Sequence, residues 1–266
     1  MAGHCGPSAA PAADTVIVAF GDSTTAPRGP LPVYANLLQQ ELPPLGVPVR
    51  VINAGVGGND TNAARQRFET DVLKHQPDVV ILQFGINDSA VDVWRDPPAE
   101  QPRVSLDQYR ENLKHFLSRL SGQGVRVLLM TPNPLRWTPK LKEHYGKPPY
   151  RPEDDDGFNA LLRDYAEVVR NLARRHDVTL VDVDAAFREY GEQPQQSIDD
   201  LLLDGMHPNA EGQRLVAELL VAELTKDVWH DRLQPFLTTH CTSCHSGDDA
   251  AGALNLAELQ PHLTDD

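Results

Sequence analysis

The chain has 266 residues, a formal charge of −14 at neutral pH and 40% hydrophobic residues. That length holds one large domain, or one medium domain with a small appendage, and the apolar content suits a packed core rather than a disordered chain. The acidic balance argues against a nucleic-acid binder, which needs a basic face, and against docking on anionic lipid, so a neutral small molecule or uncharged polymer is the more natural partner.

The opening stretch, MAGHCGPSAAPAAD, has neither the basic n-region nor the apolar h-region of a signal peptide, and residues 1–14 read as a disordered tail. No apolar run reaches the roughly eighteen residues of a membrane span. The three cysteines, Cys5, Cys241 and Cys244, are too few for a disulfide framework in a domain of this size, and Cys5 is expected to have no role.

In chain order, TVIVAF (15–20), VRVINA (49–54), DVVILQF (78–84), VRVLLM (125–130) and VTLVDV (178–183) are short, β-branched and nearly continuous in apolar residues. Continuous runs suit strands buried on both faces, as in parallel sheets. Helical stretches fall between them: YANLLQQEL before a Pro-Pro stop, SLDQYRENLKHFLSRL from a Ser105 cap, GFNALLRDYAEVVRNLARRH, and AEGQRLVAELLVAEL. The alternation predicts a three-layer α/β/α sandwich around a parallel sheet. A Pro-rich segment, 131–157, interrupts it and reads as a lid or binding loop.

Parallel sheets bind ligands at the carboxyl ends of their strands, and that is where the polar motifs lie. The first strand ends in FGDSTT, in which Gly21 permits a tight turn, Asp22 braces it and Ser23 is presented where a helix would begin. The second ends in the Gly-rich NAGVGGND and the third in FGINDS. LLLDGMHPNAEG, before the last helix, sets Asp204 and His207 three residues apart, with Pro208 in the helix's first turn.

These residue types supply acyl transfer. Ser23 needs a base to take its proton, His207 can be that base, and Asp204 can fix the imidazole tautomer and stabilise the imidazolium. The Ser23 backbone N–H, the Gly58 N–H and the Asn87 side-chain amide can form an oxyanion hole. The G-x-S-x-G elbow of α/β-hydrolases is absent, because Ser23 is preceded by Gly-Asp and followed by Thr-Thr.

With GDS, NAGVGGND, GIND and DGMHP in that order, residues 15 to about 225 resemble the SGNH hydrolases, also called GDSL esterases. The resemblance implies a five-stranded flavodoxin-like sheet and ester hydrolysis without metal or cofactor. It implies Ser23 as nucleophile, the oxyanion glycine at Gly58 rather than Gly57 by counting from Asn53, Asn87 as oxyanion donor, and the Asp204–His207 pair. Asn59-Asp60 departs from the Asp-Thr more usual after that glycine.

Arg136 and Trp137, in the 131–157 segment, are candidates for lining the substrate pocket, with loop packing as the alternative for Trp137. EDDDG (153–157) reads as a solvated acidic run capping the next helix rather than a metal site, and His75, His115, His144 and His176 read as surface residues. At the C-terminus, Cys241, Cys244 and His245 form C-x-x-C-H, the pattern of covalent haem c attachment. Zinc is disfavoured because Cys241, Cys244 and His245 with His240 are cramped for four ligands. This tail resembles the opening of small cytochrome c-like domains of planctomycete bacteria. It lacks an evident second axial ligand unless His240 or His262 serves, and it reads as a truncated or vestigial module.

The expected organisation is therefore a tail (1–14), a hydrolase domain (15–226) and a C-x-x-C-H appendage (227–266). The expected activity is that of a serine esterase acting on short acyl esters, foremost acetyl groups on carbohydrate, a choice that follows the family resemblance. The alternatives are a lysophospholipase or thioesterase of the same fold, and a haem-bearing electron-transfer protein with an accessory hydrolase domain. Haem loading implies export, so the location is periplasmic or extracellular if a signal peptide precedes this sequence, and cytoplasmic otherwise.

Overall fold

The computed structural model describes residues 14–228, 234–242 and 245. Its five strands are β1 (Thr15–Gly21), β2 (Val49–Gly55), β3 (Val79–Gln83), β4 (Arg126–Met130) and β5 (Thr179–Val181). All pair in parallel, in the order β2-β1-β3-β4-β5. Each lies on one of the five predicted apolar runs. β5 is shorter than its run because Asp182 leaves the ladder to cap a helix, its carboxylate accepting from the Ala185 N–H at 3.2 Å.

The helices are α1 (Tyr34–Glu41), α2 (Thr61–Asp71), α3 (Ile86–Ser89), α4 (Leu106–Ser121), α5 (Pro139–Tyr145), α6 (Leu162–His176), α7 (Val183–Glu192), α8 (Ala210–Val228) and α9 (Gln234–His240). Ser105 caps α4 as expected, accepting from the Gln108 N–H at 3.3 Å. Among the described residues, no helix is long and apolar enough to cross a membrane.

Alternation along the strands builds two cores. Val18 and Phe20 of β1, Val80 and Leu82 of β3 and Val127 and Leu129 of β4 pack under α2, α4 and α6, with Phe68, Phe116 and Leu172. Their chain neighbours Ile17, Ala19, Val79, Ile81, Leu128 and Met130 face the other way, under α1, α7 and α8, with Leu38, Phe187 and Leu220. Both sheet faces are therefore dry, which is why the runs are apolar without interruption. The result is the three-layer α/β/α sandwich, with its switch point between β1 and β3, whose following helices α1 and α4 lie on opposite faces of the sheet.

The 131–157 segment is not a bare loop. It contains α5 and, with flanking residues, builds a third cluster in which Leu135, Leu141, Tyr150, Phe158 and Leu162 pack with Ile86, and Trp137, Tyr145 and Met206 join partly buried. Two members, Ile86 and Met206, are the chain neighbours of Asn87 and His207. The segment is thus a packed wall beside the strand-end motifs.

Candidate active site

The chain leaves β1 at Gly21 and makes one tight turn. The Thr25 and Ala26 N–H groups donate to the Asp22 carbonyl at 3.3 and 3.0 Å. The turn stops there because Pro27 follows, so Ser23 sits on an isolated turn rather than at a helix start, and α1 begins only at Tyr34. Gly21 is required by crowding rather than by turn geometry, since a Cβ there would lie 2.1 Å from Thr25 Oγ1 and 2.8 Å from the Gln83 carbonyl.

Asp22 braces the turn from within, its Oδ1 accepting from both the Thr24 N–H and the Thr24 hydroxyl at 2.9 Å. Burial pushes its carboxyl up to about 6 against the opposing hydrogen bonds of Thr24. Thr24 is pinned further, its hydroxyl oxygen lying 2.5 Å from Gln83 Oε1, which shares the single hydroxyl proton with Asp22, and its carbonyl accepting from Gln213 Nε2 at 3.1 Å. Gln83 on β3 and Gln213 on α8 are thus buried supports behind the Ser23 turn. Sequence reading passed over both, although a glutamine inside the apolar run ILQF is a visible signal.

Ser23 Oγ lies 3.0 Å from His207 Nε2. On the far side of the ring, Nδ1 lies 2.9 and 3.1 Å from the two carboxylate oxygens of Asp204. A carboxylate only accepts, so Nδ1 carries the proton and the Nε2 lone pair faces the serine hydroxyl. Burial raises the Asp204 pKa, but hydrogen bonds from the His207 ring and from the His207 and Met206 backbone outweigh it and hold the carboxyl well below its usual range. The loop that carries the pair is closed by Leu203 N–H donating to the His207 carbonyl at 2.8 Å. It is tied to the 131–157 segment by Arg136 N–H to the Gly205 carbonyl at 2.8 Å and by Asn133 Nδ2 to the Met206 carbonyl at 3.0 Å. Pro208 lies in a β-bridge with Leu202 rather than in the helix, and Asn209 caps α8 instead, Oδ1 accepting from Glu211 and Gly212 at 3.0 and 3.1 Å.

Beyond β2, Asn59 N–H donates to the Val56 carbonyl at 3.2 Å, and Gly58 sits at φ +77°. A four-residue turn with a positive φ at its third position is type II, and glycine suits that position because it has no Cβ to clash. The backbone N–H groups of Ser23 and Gly58 make no hydrogen bond to any described residue. Asn59 and Asp60, the departure from the usual pattern, both have anchoring work here. Asn59 Oδ1 accepts from Arg67 Nε at 2.7 Å, and Asp60 caps α2 through the Ala63 N–H at 2.9 Å.

Asn87, in α3, is buried. Its Nδ2 donates to the Asn59 carbonyl at 3.1 Å, which joins the ends of β2 and β3, and its Oδ1 accepts from Arg103 at 3.1 Å. Arg67 joins β1 and β2 from α2. Its guanidinium donates to the Gly21 carbonyl at 2.9 Å and the Ala54 carbonyl at 2.7 Å, and lies 4.4 Å from the Phe20 ring centre. Arg67, Arg103 and Asn133 were not visible as site residues in the sequence, because their partners are distant in the chain and each sits in an unremarkable polar stretch.

The side chains of the remaining candidates in the 131–157 segment have packing and pairing partners of their own. Trp137 stacks on Phe158 at 4.4 Å and donates Nε1–H to the Asp154 carbonyl at 3.0 Å, which is loop packing. The Arg136 side chain pairs with Asp199 at 3.4 Å. The acidic run is paired with arginines rather than merely solvated, Asp154 with Arg151 at 3.0 Å and Asp156 with Arg163 and Arg188. His144 stacks on the exposed Trp94 at 4.9 Å. In the tail, Cys241 is a free thiol just after α9, and the His245 N–H donates to its carbonyl at 3.1 Å. Cys244 and His262 lie outside the described residues, as do Cys5 and the rest of the N-terminal tail before Asp14.

A nucleophile–imidazole–carboxylate chain beside unengaged N–H donors is equipped for acyl transfer, and comparison with known proteins agrees. Residues 19–215 match the model of the GDSL-like lipase/acylhydrolase family. The chain belongs to this family. It is an ester-hydrolysing enzyme of the SGNH type. This GDSL hydrolase is similar to the uncharacterized lipoprotein YqeF of Bacillus subtilis, at 33% identity over 76% of this chain and 86% of that one. It is also similar to an acetylxylan esterase of Geobacillus stearothermophilus, at 28% identity over 71% and 77%. Among solved structures, a lipase/acylhydrolase of Enterococcus faecalis superposes with a TM-score of 0.62 at 26% identity, covering 79% of this chain and 95% of that one.

Proposed function

We propose that this enzyme removes short acyl groups, foremost acetyl, from carbohydrate, with Ser23 as nucleophile, His207 as general base and acid, and Asp204 as its orienting partner. The observation that carries the mechanism is the 3.0 Å contact between Ser23 Oγ and His207 Nε2, backed by the Asp204 carboxylate. Ser23 Oγ attacks the ester carbonyl while its proton passes to Nε2, and the imidazolium is stabilised by Asp204. The resulting oxyanion is met by the N–H groups of Ser23 and Gly58 and by the Asn87 amide. Collapse expels the sugar alkoxide, which takes the proton from Nε2. Water then enters, gives a proton to Nε2 and attacks the acyl-serine, and the second collapse releases the acid and restores the Ser23 hydroxyl.

A short acyl group is supported by the similarity to an acetylxylan esterase. The similarity to an acetylxylan esterase points to carbohydrate as the alcohol side, and the acidic surface suits an uncharged polymer better than an anionic lipid. We further propose the hydrolase unit as residues 15–226, with the C-x-x-C-H segment from 227 onward as an appendage that hydrolysis does not use.

One experiment tests both parts. Acetylated xylo-oligosaccharides and p-nitrophenyl esters of increasing acyl length are assayed with wild type and with the double variant Cys241→Ala/Cys244→Ala. Acetyl esters are expected to be turned over fastest, with kcat/KM falling at least tenfold by octanoate and with no difference between the two proteins. A preference for long acyl chains would replace this reading with the lysophospholipase or thioesterase alternative. Loss of activity in the cysteine variant would make the tail part of the enzyme.

A further inference from the structure

A primary amide can present either its oxygen or its NH₂ group to the substrate, and only the NH₂ can stabilise an oxyanion. A half-turn about the terminal torsion exchanges the two, and that torsion is soft in isolation. In this enzyme the Asn87 amide is gripped at both ends by partners of opposite kind. Arg103 Nη1, which can only donate, faces Oδ1 at 3.1 Å, and the Asn59 carbonyl, which can only accept, faces Nδ2 at 3.1 Å. Turning the amide over would set oxygen against oxygen at Asn59 and N–H against N–H at Arg103. With one Nδ2 proton committed to Asn59, the second remains for the site.

Arg103 is itself held. Its Nε and Nη2 both donate to Asp92 Oδ1, at 3.0 and 2.6 Å, and Asp92 is 2% exposed. The other Asp92 oxygen takes Arg95 at 2.6 Å. The Arg103 backbone is tied to the same loop by its N–H to the Ala90 carbonyl at 2.9 Å, and the next residue, Val104, donates to the Asp88 carbonyl at 3.1 Å. Two guanidinium groups on one carboxylate leave one surplus positive charge beside Asn87. A cation bonded to an amide oxygen draws electron density from its nitrogen and makes the remaining N–H a stronger donor.

We infer that Arg103, anchored by Asp92, is a positioning residue for the oxyanion hole, locking the Asn87 amide with its NH₂ toward the substrate oxygen and polarising it. The inference rests on the reading of Asn87 as an oxyanion donor. It assigns a catalytic consequence to two residues, Asp92 and Arg103, that lie outside the four family motifs.

The test is a double-mutant cycle on kcat and KM for p-nitrophenyl acetate, run below the unfolding temperature of every variant. Asn87→Ala is expected to lower kcat by about two orders of magnitude, the usual cost of losing one oxyanion donor. Arg103→Met is expected to lower kcat at least tenfold with KM within about twofold, Arg103→Lys to recover part of that loss, and Asp92→Asn to show a smaller loss of the same kind. In the Asn87→Ala background, Arg103→Met and Asp92→Asn are expected to add nothing further, because the amide through which they act is gone. Equal losses from Arg103→Met with and without Asn87 would overturn the inference and leave Asn87's own role standing. So would full kcat in Arg103→Met, or, should that variant fail to fold, in both Arg103→Lys and Asp92→Asn. Full kcat in Asn87→Ala would remove the oxyanion reading itself, and this inference with it.

Discussion

Two halves of the site are held in contrasting ways. The Ser23 half grows directly from the sheet: Ser23 lies two residues beyond β1, on a turn whose Asp22 is 0% exposed and whose Thr24 is tied to β3 and α8. The acid–base half comes 184 residues later on a surface loop, with the Asp204 side chain 49% exposed, held chiefly by its own closing hydrogen bond and by Asn133 and Arg136 of the 131–157 segment. The proposed oxyanion donors, Ser23, Gly58 and Asn87, follow directly on β1, β2 and β3 at the carboxyl edge of the sheet. The proposed general base, His207, is carried instead by that loop, beside the half-exposed Asp204. The 131–157 segment links the halves, since its cluster packs against the chain neighbours of both Asn87 and His207.

Breaking the Ser23 half should cost stability and activity together. Arg67→Ala removes donors from the Gly21 and Ala54 carbonyls and from Asn59, and is expected to destabilise the fold by roughly 3 kcal/mol, the cost of several hydrogen bonds to a charged group. Urea unfolding read beside kcat is the check. Unfolding unchanged with kcat intact would show that the strand ends hold themselves.

A second effect sharpens the same contrast through pH. Burial pushes Asp88 up to about 7 and Asp22 up to about 6, from 3.8, against opposing hydrogen bonds from Thr61 and Thr24. The folded chain therefore holds these protons more tightly than the unfolded chain, so stability falls as pH rises from about 4 to 7. Asp204, on the exposed half, has the opposite sign, but its contribution is lost only below about pH 4. Asp88→Asn keeps an acceptor for Thr61 and removes one titration, so it should flatten the stability profile between pH 4 and 8 by up to about 4 kcal/mol. Parallel wild-type and variant profiles would place Asp88 in its ordinary range.

The contrast also explains what could be read from the sequence. Strands buried on both faces leave continuous apolar runs, and strand-end motifs are local, so the sheet, Ser23 and the Asp204–His207 pair were all visible. Five of the described helices, α2, α3, α5, α7 and α9, were not. α2 sends inward only Thr61, Ala64 and the single large side chain Phe68. α5 sits inside a Pro-rich segment, and α7 starts two residues after β5, so its first residues read as strand. The supports of the site were hidden for a different reason: Gln213 meets Thr24 across 189 residues, and Arg67 meets Gly21 across 46. Such pairings exist only once the sheet has brought its carboxyl edge together.

The central claim is that Ser23 carries the acyl group. The most direct measurement is peptide mass spectrometry of enzyme acid-quenched during turnover of p-nitrophenyl acetate, alongside Ser23→Ala. The account predicts one acetyl group on the peptide containing Ser23, absent from the variant, which should be folded and inactive. Acetyl on another residue with Ser23 unmodified, or turnover retained in Ser23→Ala, would contradict it.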